Sequence, residues 1–210
     1  MIESDKDISE RFPLHKAGMP IVFTDNLKPY RERKVRILNG AYTSSVLLGW
    51  LCGLGCVRDC IEDEIVREFM ETAVRKEIMP FIKLPKKDVE EFAEVVFERF
   101  ENPFIYHKVL DISLNSVSKW KARVLPSFKD YYAEFGKIPA ALTLSFAALL
   151  AFYTADKMED GALAAVRADG IAYAVRDDAA VLEFMLDHSQ KSAIEYAHAV
   201  VGNEAFWGKI

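Results

Sequence analysis

From Pro29 onward the apolar residues recur at helical spacing, and this period limits the possible folds more than any other feature. Tyr30 to about Trp50 carries Val35, Leu38, Ala41, Tyr42 and Ser45 on one helix face, until Gly49, Gly53 and Gly55 break it. A second helix is predicted from near Ile61 to Ile78, with Glu62, Asp63 and Glu64 favouring its N-terminal dipole and Pro80 ending it. Asp88 reads as the N-cap of a third, running to Glu101 with the stripe Val89, Phe92, Val96 and Phe100. Asn102-Pro103 interrupts the pattern. A long helix is then expected over 104–124, closed by Pro126, and further helices near 127–135, 139–155, 177–188 and 190–201. The segment 156–176 is ambiguous, with turn signals at Asp160-Gly161 and Asp169-Gly170. Residues 1–28 read as an irregular lead-in with one short strand candidate, Ile21-Val22-Phe23, after Pro20. The expected fold class is mainly α, a single multi-helical domain of about eight helices over 29–210.

Composition narrows the function. With 51% hydrophobic residues and 14 Phe, the chain has enough apolar material for a packed core, so disorder is excluded. The 27 Lys and Arg against 32 Asp and Glu leave a net charge of −5, which argues against a phosphate-backbone partner and so against nucleic acid. Three cysteines make no disulfide framework, and Met1 to Arg11 contains no apolar signal segment. The longest apolar stretch, Ala140 to Tyr153, is too short to span a bilayer, so no membrane partner is expected and a reducing, cytoplasmic compartment is. The nearest approach to a phosphate-cradling loop is Gly53-Leu54-Gly55-Cys56-Val57-Arg58, with Arg58 where a third glycine belongs and a helical pattern before it. No cofactor-binding residue is assigned on this basis.

The chemistry-bearing stretch is KVRILNGAYT, residues 34–43. On a regular helix, Lys34, Asn39 and Tyr42 project at roughly 0°, 140° and 80°, within one sector. There a desolvated lysine would lose basicity toward neutrality and act as a general base. Arg31, Arg33 and Arg36 sit alongside, so a solvated cationic face fits the same spacing. Asn115, Lys119 and Arg123 recur every four residues and stack along a second helix face, again a spacing that ordinary solvated helices share. Cys52, Cys56 and Cys60 also recur at four residues, but metal sites favour closer pairs with a second pair or His nearby. They read as small buried residues, and no metal is expected. His107 is a candidate for lining a pocket, and Arg176-Asp177-Asp178 reads as a helix N-terminus with one Asp capping.

KVRILNGAYTSS, preceded by FPLHKAGMPIVFTDNLKPYRER, resembles the C-terminal domain of the mannitol dehydrogenase family of polyol and uronate dehydrogenases. Within that family it is most similar to the tagaturonate reductase, or altronate oxidoreductase, branch. The likeness extends through 94–130, including NPFIYHKVLDISLNSVSKWKARVLPSFKD, and through YAVRDDAAVLEF at 173–184. The resemblance implies the 6-phosphogluconate dehydrogenase C-terminal-like helical fold without a Rossmann domain. It implies Lys34 as general base, Asn39 polarising the reacting oxygen, and Lys119 with Arg123 and Asn115 at a sugar-acid or polyol substrate. It also implies NAD, bound by an N-terminal Rossmann domain outside these residues, so that the chain is inactive alone and presents an interface open to self-association. Tyr42 stands where the family pattern K-x4-N-x2-H has histidine. A phenol donates hydrogen bonds but does not exchange protons near neutrality as imidazole does. A non-catalytic helical interaction or oligomerisation module is the alternative implied by that departure.

Overall fold

One long helical run organises the chain, whose computed structural model describes residues 1–3, 6–19 and 21–208. Helix α2 (Lys28–Arg33), with Pro29 in its first turn where a missing N–H matters least, passes through a widened turn at Lys34–Asn39 into α3 (Gly40–Leu51). Around that turn the backbone bonds close from i to i+5, as in the bond from the Gly40 N–H to the Val35 carbonyl. Gly53, at φ +97°, lets the chain leave the helix. Helix α3 is buried on most sides, its small residues Ala41, Ser44 and Ser45 included, and it packs along α10 (Ala140–Phe152). Helix α10 is apolar around its whole circumference, as a core helix should be. At Gly49 any side chain would collide with the Cys60 sulfur on α4 (Val57–Glu62), so the α3–α4 approach requires glycine.

Several predicted boundaries shift. The helix expected over 61–78 divides at Asp63, whose extended backbone (ψ 120°) ends α4 and whose carboxylate caps α5 (Glu64–Thr72) through the Val66 N–H at 2.9 Å. A second i-to-i+5 turn, Ala73–Ile78, follows. Asp88 is not a cap: α6 begins at Lys86 after Pro85 and runs to Glu101, leaving Asp88 in its first turn. The long helix expected over 104–124 is two, α7 (Val109–Ile112) and α8 (Ser116–Arg123). Asn115 separates them in the left-handed region (φ 54°), a conformation that asparagine tolerates better than most residues. Helices α9 (Leu125–Phe135), α11 (Ala179–Ser189), α12 (Ala193–Val201) and α13 (Glu204–Trp207) complete the helical shell.

The ambiguous segment is a three-stranded antiparallel sheet, β3 (Lys157–Glu159), β4 (Ala162–Val166) and β5 (Ala172–Val175). Its first hairpin turns on Asp160 and Gly161, both at positive φ, as a two-residue mirror-image turn requires. Arg167 ties this sheet to the end of α3, donating to the Trp50 carbonyl at 2.9 Å and lying over its indole. The lead-in is more regular than its pattern suggests. It contains α1 (Lys6–Arg11) and a two-residue parallel pair, β1 (Ile2–Glu3) with β2 (Phe23–Thr24), one step beyond the predicted Ile21–Phe23 strand. Pro20, used to bound that strand, lies outside the described residues. No helix is long and apolar enough to cross a membrane among the described residues.

Candidate functional site

The widened turn changes the geometry read from a regular helix. With one extra residue in the turn, each residue advances less than the 100° of a regular helix, so Asn39 swings toward the side of Lys34. The roughly 140° expected between them on a regular helix therefore narrows. Asn39 then faces an open cleft of about 700 Å³, whose walls also carry Arg36, Arg123 and Asp130. Arg123 comes from α8 and donates to the Thr43 hydroxyl at 3.2 Å, one turn along α3 from Asn39. That contact is possible because Gly40 lets α8 close in: a Cβ there would sit 3.3 Å from the Arg123 carbonyl oxygen.

Lys34 is exposed and does not line this cleft, so the expected desolvation is absent in this chain. Nor do its neighbouring arginines together form a solvated cationic face. Arg36 is buried and binds Ser127 Oγ at 2.9 Å and Asp130 Oδ2 at 2.6 Å, bolting the widened turn to α9. Arg33 lies over the Phe92 ring, 4.4 Å from its centroid, and donates to the Asp88 carbonyl. Of the three arginines only Arg31 is exposed.

On α8, Lys119 is partly buried and donates from Nζ to the Ile112 carbonyl at 2.9 Å. Burial, together with the Arg123 charge, holds its ammonium below the ordinary range, while Asp177 opposes the shift. Burial also lowers the Arg123 guanidinium, which nevertheless stays charged. Two cations thus lie close together on one helix, a setting that favours an incoming anion. Anion affinity at Lys119 is expected to fall with rising pH as the ammonium deprotonates, and to begin falling below the ordinary lysine value of 10.5. Titration of carboxylate binding against pH checks this, with Lys119→Met expected to flatten the curve. Asn115 contributes backbone rather than side chain: its N–H donates to the Arg176 carbonyl and its carbonyl accepts from Lys119 N–H, each at 3.1 Å. Its side chain is exposed.

Tyr42 is half-buried on α3, and its hydroxyl meets His107 Nδ1 at 3.1 Å. Burial pushes the phenol up, with the Arg99 charge opposing. The structure therefore makes three groupings: Asn39 with Arg123 at the cleft, Lys119 beside Arg123, and Tyr42 with His107. Thr43, Arg36 and Asp177 were not legible as site-builders. Asp178 caps α11 as expected of one of the pair, but Asp177 turns away to bind the Tyr153 hydroxyl and the Val117 N–H of α8. Of the cysteines read as small buried residues, Cys56 at the N-cap of α4 and Cys60 within it are buried, but Cys52 is exposed at the end of α3. No group of three His, Cys, Asp or Glu able to hold a metal occurs among the described residues.

The chain matches the family described as mannitol dehydrogenase C-terminal domain over residues 26–208. It is 34% identical over 215 residues to altronate oxidoreductase of Yersinia enterocolitica, spanning 100% of this chain and 42% of that protein. The altronate oxidoreductase of Pectobacterium atrosepticum is 40% identical over 177 residues, covering 84% of this chain and 35% of its own length. The chain thus spans about two fifths of the curated relatives it matches. Among solved structures, mannitol 2-dehydrogenase of Pseudomonas fluorescens in ternary complex with NAD and D-mannitol superposes with a TM-score of 0.78 at 21% identity. That match covers 92% of this chain and 37% of the other, and it supports the fold. The helical fold and the family match over nearly all of its length agree: the chain belongs to the mannitol dehydrogenase family, as its C-terminal domain.

Proposed function

We propose that this chain is the substrate-binding and proton-handling part of an NAD-dependent, metal-independent altronate oxidoreductase that interconverts altronate and its keto form, tagaturonate. The observation that carries the reading is the meeting of Asn39 and Arg123, from two separate sequence blocks, at one cationic cleft. Lys28, Arg31, Arg36, Lys83 and Arg123 line it against Glu32 and Asp130, an imbalance suited to a sugar-acid carboxylate. Its volume falls in the roughly 300–1,000 Å³ range of small-molecule sites. Arg123 would anchor the carboxylate from the cleft wall, and Lys119, which does not line the cleft, would add its charge from beside Arg123. Asn39 would donate its amide to the reacting oxygen, and Lys34 would take or return that oxygen's proton.

The described residues do not fit the dinucleotide itself. The only parallel strand pair is two residues long among them, the larger sheet is antiparallel, and no glycine-rich turn joins a strand to a helix. In this reading NAD belongs to the remainder of such an enzyme, and the chain alone turns over no substrate. Covering Lys34 there would supply the desolvation that this chain lacks. Phe104 and Tyr106, 94% and 66% exposed, offer apolar contact for that remainder or for self-association.

The test supplies NADH and tagaturonate to the isolated chain and to the chain joined behind the preceding part of the Yersinia enterocolitica relative. Activity is expected only in the joined protein, and the reading fails if that protein reduces no hexuronate or ketose. Isothermal titration of the isolated chain with NAD should show no binding, and sub-millimolar affinity would overturn the assignment of the cofactor elsewhere. A helical interaction module without catalysis is favoured by one observation, the engagement of the Tyr42 hydroxyl by His107. It predicts an inactive joined protein.

A further inference from the structure

The cleft has more length and more charge than one hexuronate uses. Its lining follows one face of the helical run, where Lys28, Arg31, Val35 and Asn39 recur every three or four residues. At about 1.5 Å of rise per residue, Arg31 sits roughly 12 Å and Lys28 roughly 16 Å from Asn39 along the axis. A six-carbon chain with bonds of about 1.5 Å spans under about 7 Å. A hexuronate held at Asn39 and Arg123 therefore leaves the outer half of the cleft unfilled. Helix α9 runs back along the same groove, since Arg123 before it meets Thr43 while Ser127 and Asp130 within it meet Arg36. Further out, the Phe81 ring packs on Tyr131 and Phe135 with centroids 6.1 and 6.2 Å apart. The loop carrying Lys83, two residues on, thus enters at the outer end beside Lys28 and Arg31.

The charges of the cleft sort the same way. Arg36 and Asp130, midway along it, neutralise each other at 2.6 Å. Lys28, Arg31 and Lys83 are exposed, and none of them makes an ion pair among the described residues. Glu32 is the one acid lining their end. Three cations against one carboxylate leave two positive charges there, in a chain whose net charge is −5. Such a surplus favours a dianion over a single carboxylate, with lysines as point charges and the arginine fork matching phosphate oxygens. We propose, resting on the hexuronate reading above for the inner end alone, that the outer end is a second anion site. It takes a phosphate or diphosphate group while the hexuronate occupies Asn39 and Arg123. Two sources carry this chemistry: the diphosphate of a dinucleotide held by the remainder of the enzyme, and a free phosphate ester.

The test titrates the 15N-labelled chain with inorganic pyrophosphate at low ionic strength, where exposed charges are least screened. Amide shifts are expected around Lys28, Arg31 and Lys83, and they should persist under saturating altronate. Acetate at equal ionic strength should leave those amides unmoved. Lys28→Gln combined with Lys83→Gln, both on exposed side chains, should weaken pyrophosphate about tenfold. Displacement of pyrophosphate by altronate, shifts confined to the surroundings of Arg123, or an affinity unchanged in the double variant overturns the second site and leaves the hexuronate reading standing. Pyrophosphate binding that the double variant weakens, in a chain that binds no altronate, overturns the hexuronate reading and keeps the anion site. NADH fluorescence with the joined protein then separates the sources, and both results support the site. An affinity about tenfold lower in the double variant assigns it to the dinucleotide's diphosphate. An unchanged affinity assigns it to a free phosphate ester.

Discussion

Replacing Lys34 by Ala is expected to lower kcat of the joined enzyme by about 10²–10⁴-fold, the usual contribution of a positioned general base. Lys34 is exposed in this chain, so its loss should leave urea stability within about 0.5 kcal/mol. KM should change little, because Arg123, with the Lys119 charge beside it, holds the carboxylate in the proposed arrangement. Steady-state kinetics of the joined wild-type and Lys34→Ala proteins, with a denaturation curve for each, separates the two effects. A kcat within threefold of wild type removes Lys34 from the chemistry. Lys34→Arg should remain slow, since a guanidinium stays protonated throughout the accessible pH range.

Glu77→Ala is expected to cost about 3 kcal/mol of folding stability. Glu77 is only 4% exposed, and its two oxygens accept from the Ala141 and Leu142 N–H groups at 3.0 and 2.8 Å. Those groups open α10, whose N-cap is Pro139 and offers no side-chain acceptor. Removing the carboxylate leaves two buried donors unpaired at the entry to the central core helix, each costing about 1–3 kcal/mol. In a domain of this size the loss corresponds to a fall in Tm of roughly 6–12 °C. Glu77→Gln keeps one acceptor oxygen and should cost about half as much. Changes below 0.5 kcal/mol for both would mean that the α10 entry is satisfied in another way.

Glu77 also marks where sequence reading stops. The helical period from Pro29 and the breaks at Gly53, Pro80 and Asn102-Pro103 were visible, because local pattern and chain-breakers act within a few residues. A glutamate inside a helix, between Lys76 and Ile78, has the pattern of a solvated residue. Its burial follows from where α10 arrives, 64 residues later. The same holds for Arg36, whose partners Ser127 and Asp130 lie on α9, and for Asp177, which serves α8 rather than its own helix. The sheet was not legible because Ala162-Leu163-Ala164-Ala165-Val166 has the composition of a helix, and only the Asp160-Gly161 and Asp169-Gly170 turns marked the two hairpins. At the site, the residue types of both blocks were legible. Their facing was not, because the projection assumed one uniform helical pitch.

That uniformity fails at Lys34–Asn39, where the helix holds one residue more than its pitch would seat. The extra residue acts as a phase slip between two otherwise regular rods. Upstream of it, Arg33 is keyed to α6; within and after it, Arg36 is keyed to α9 and Thr43 to α8. Each rod can satisfy its own partners only while the slip persists. Losing one residue between 34 and 39 would restore a tidier helix, yet it would rotate one set of keys by about 100° out of its locks. In this stretch, then, spacing carries as much of the structure as residue identity does, and deleting one residue should disrupt more than exchanging one.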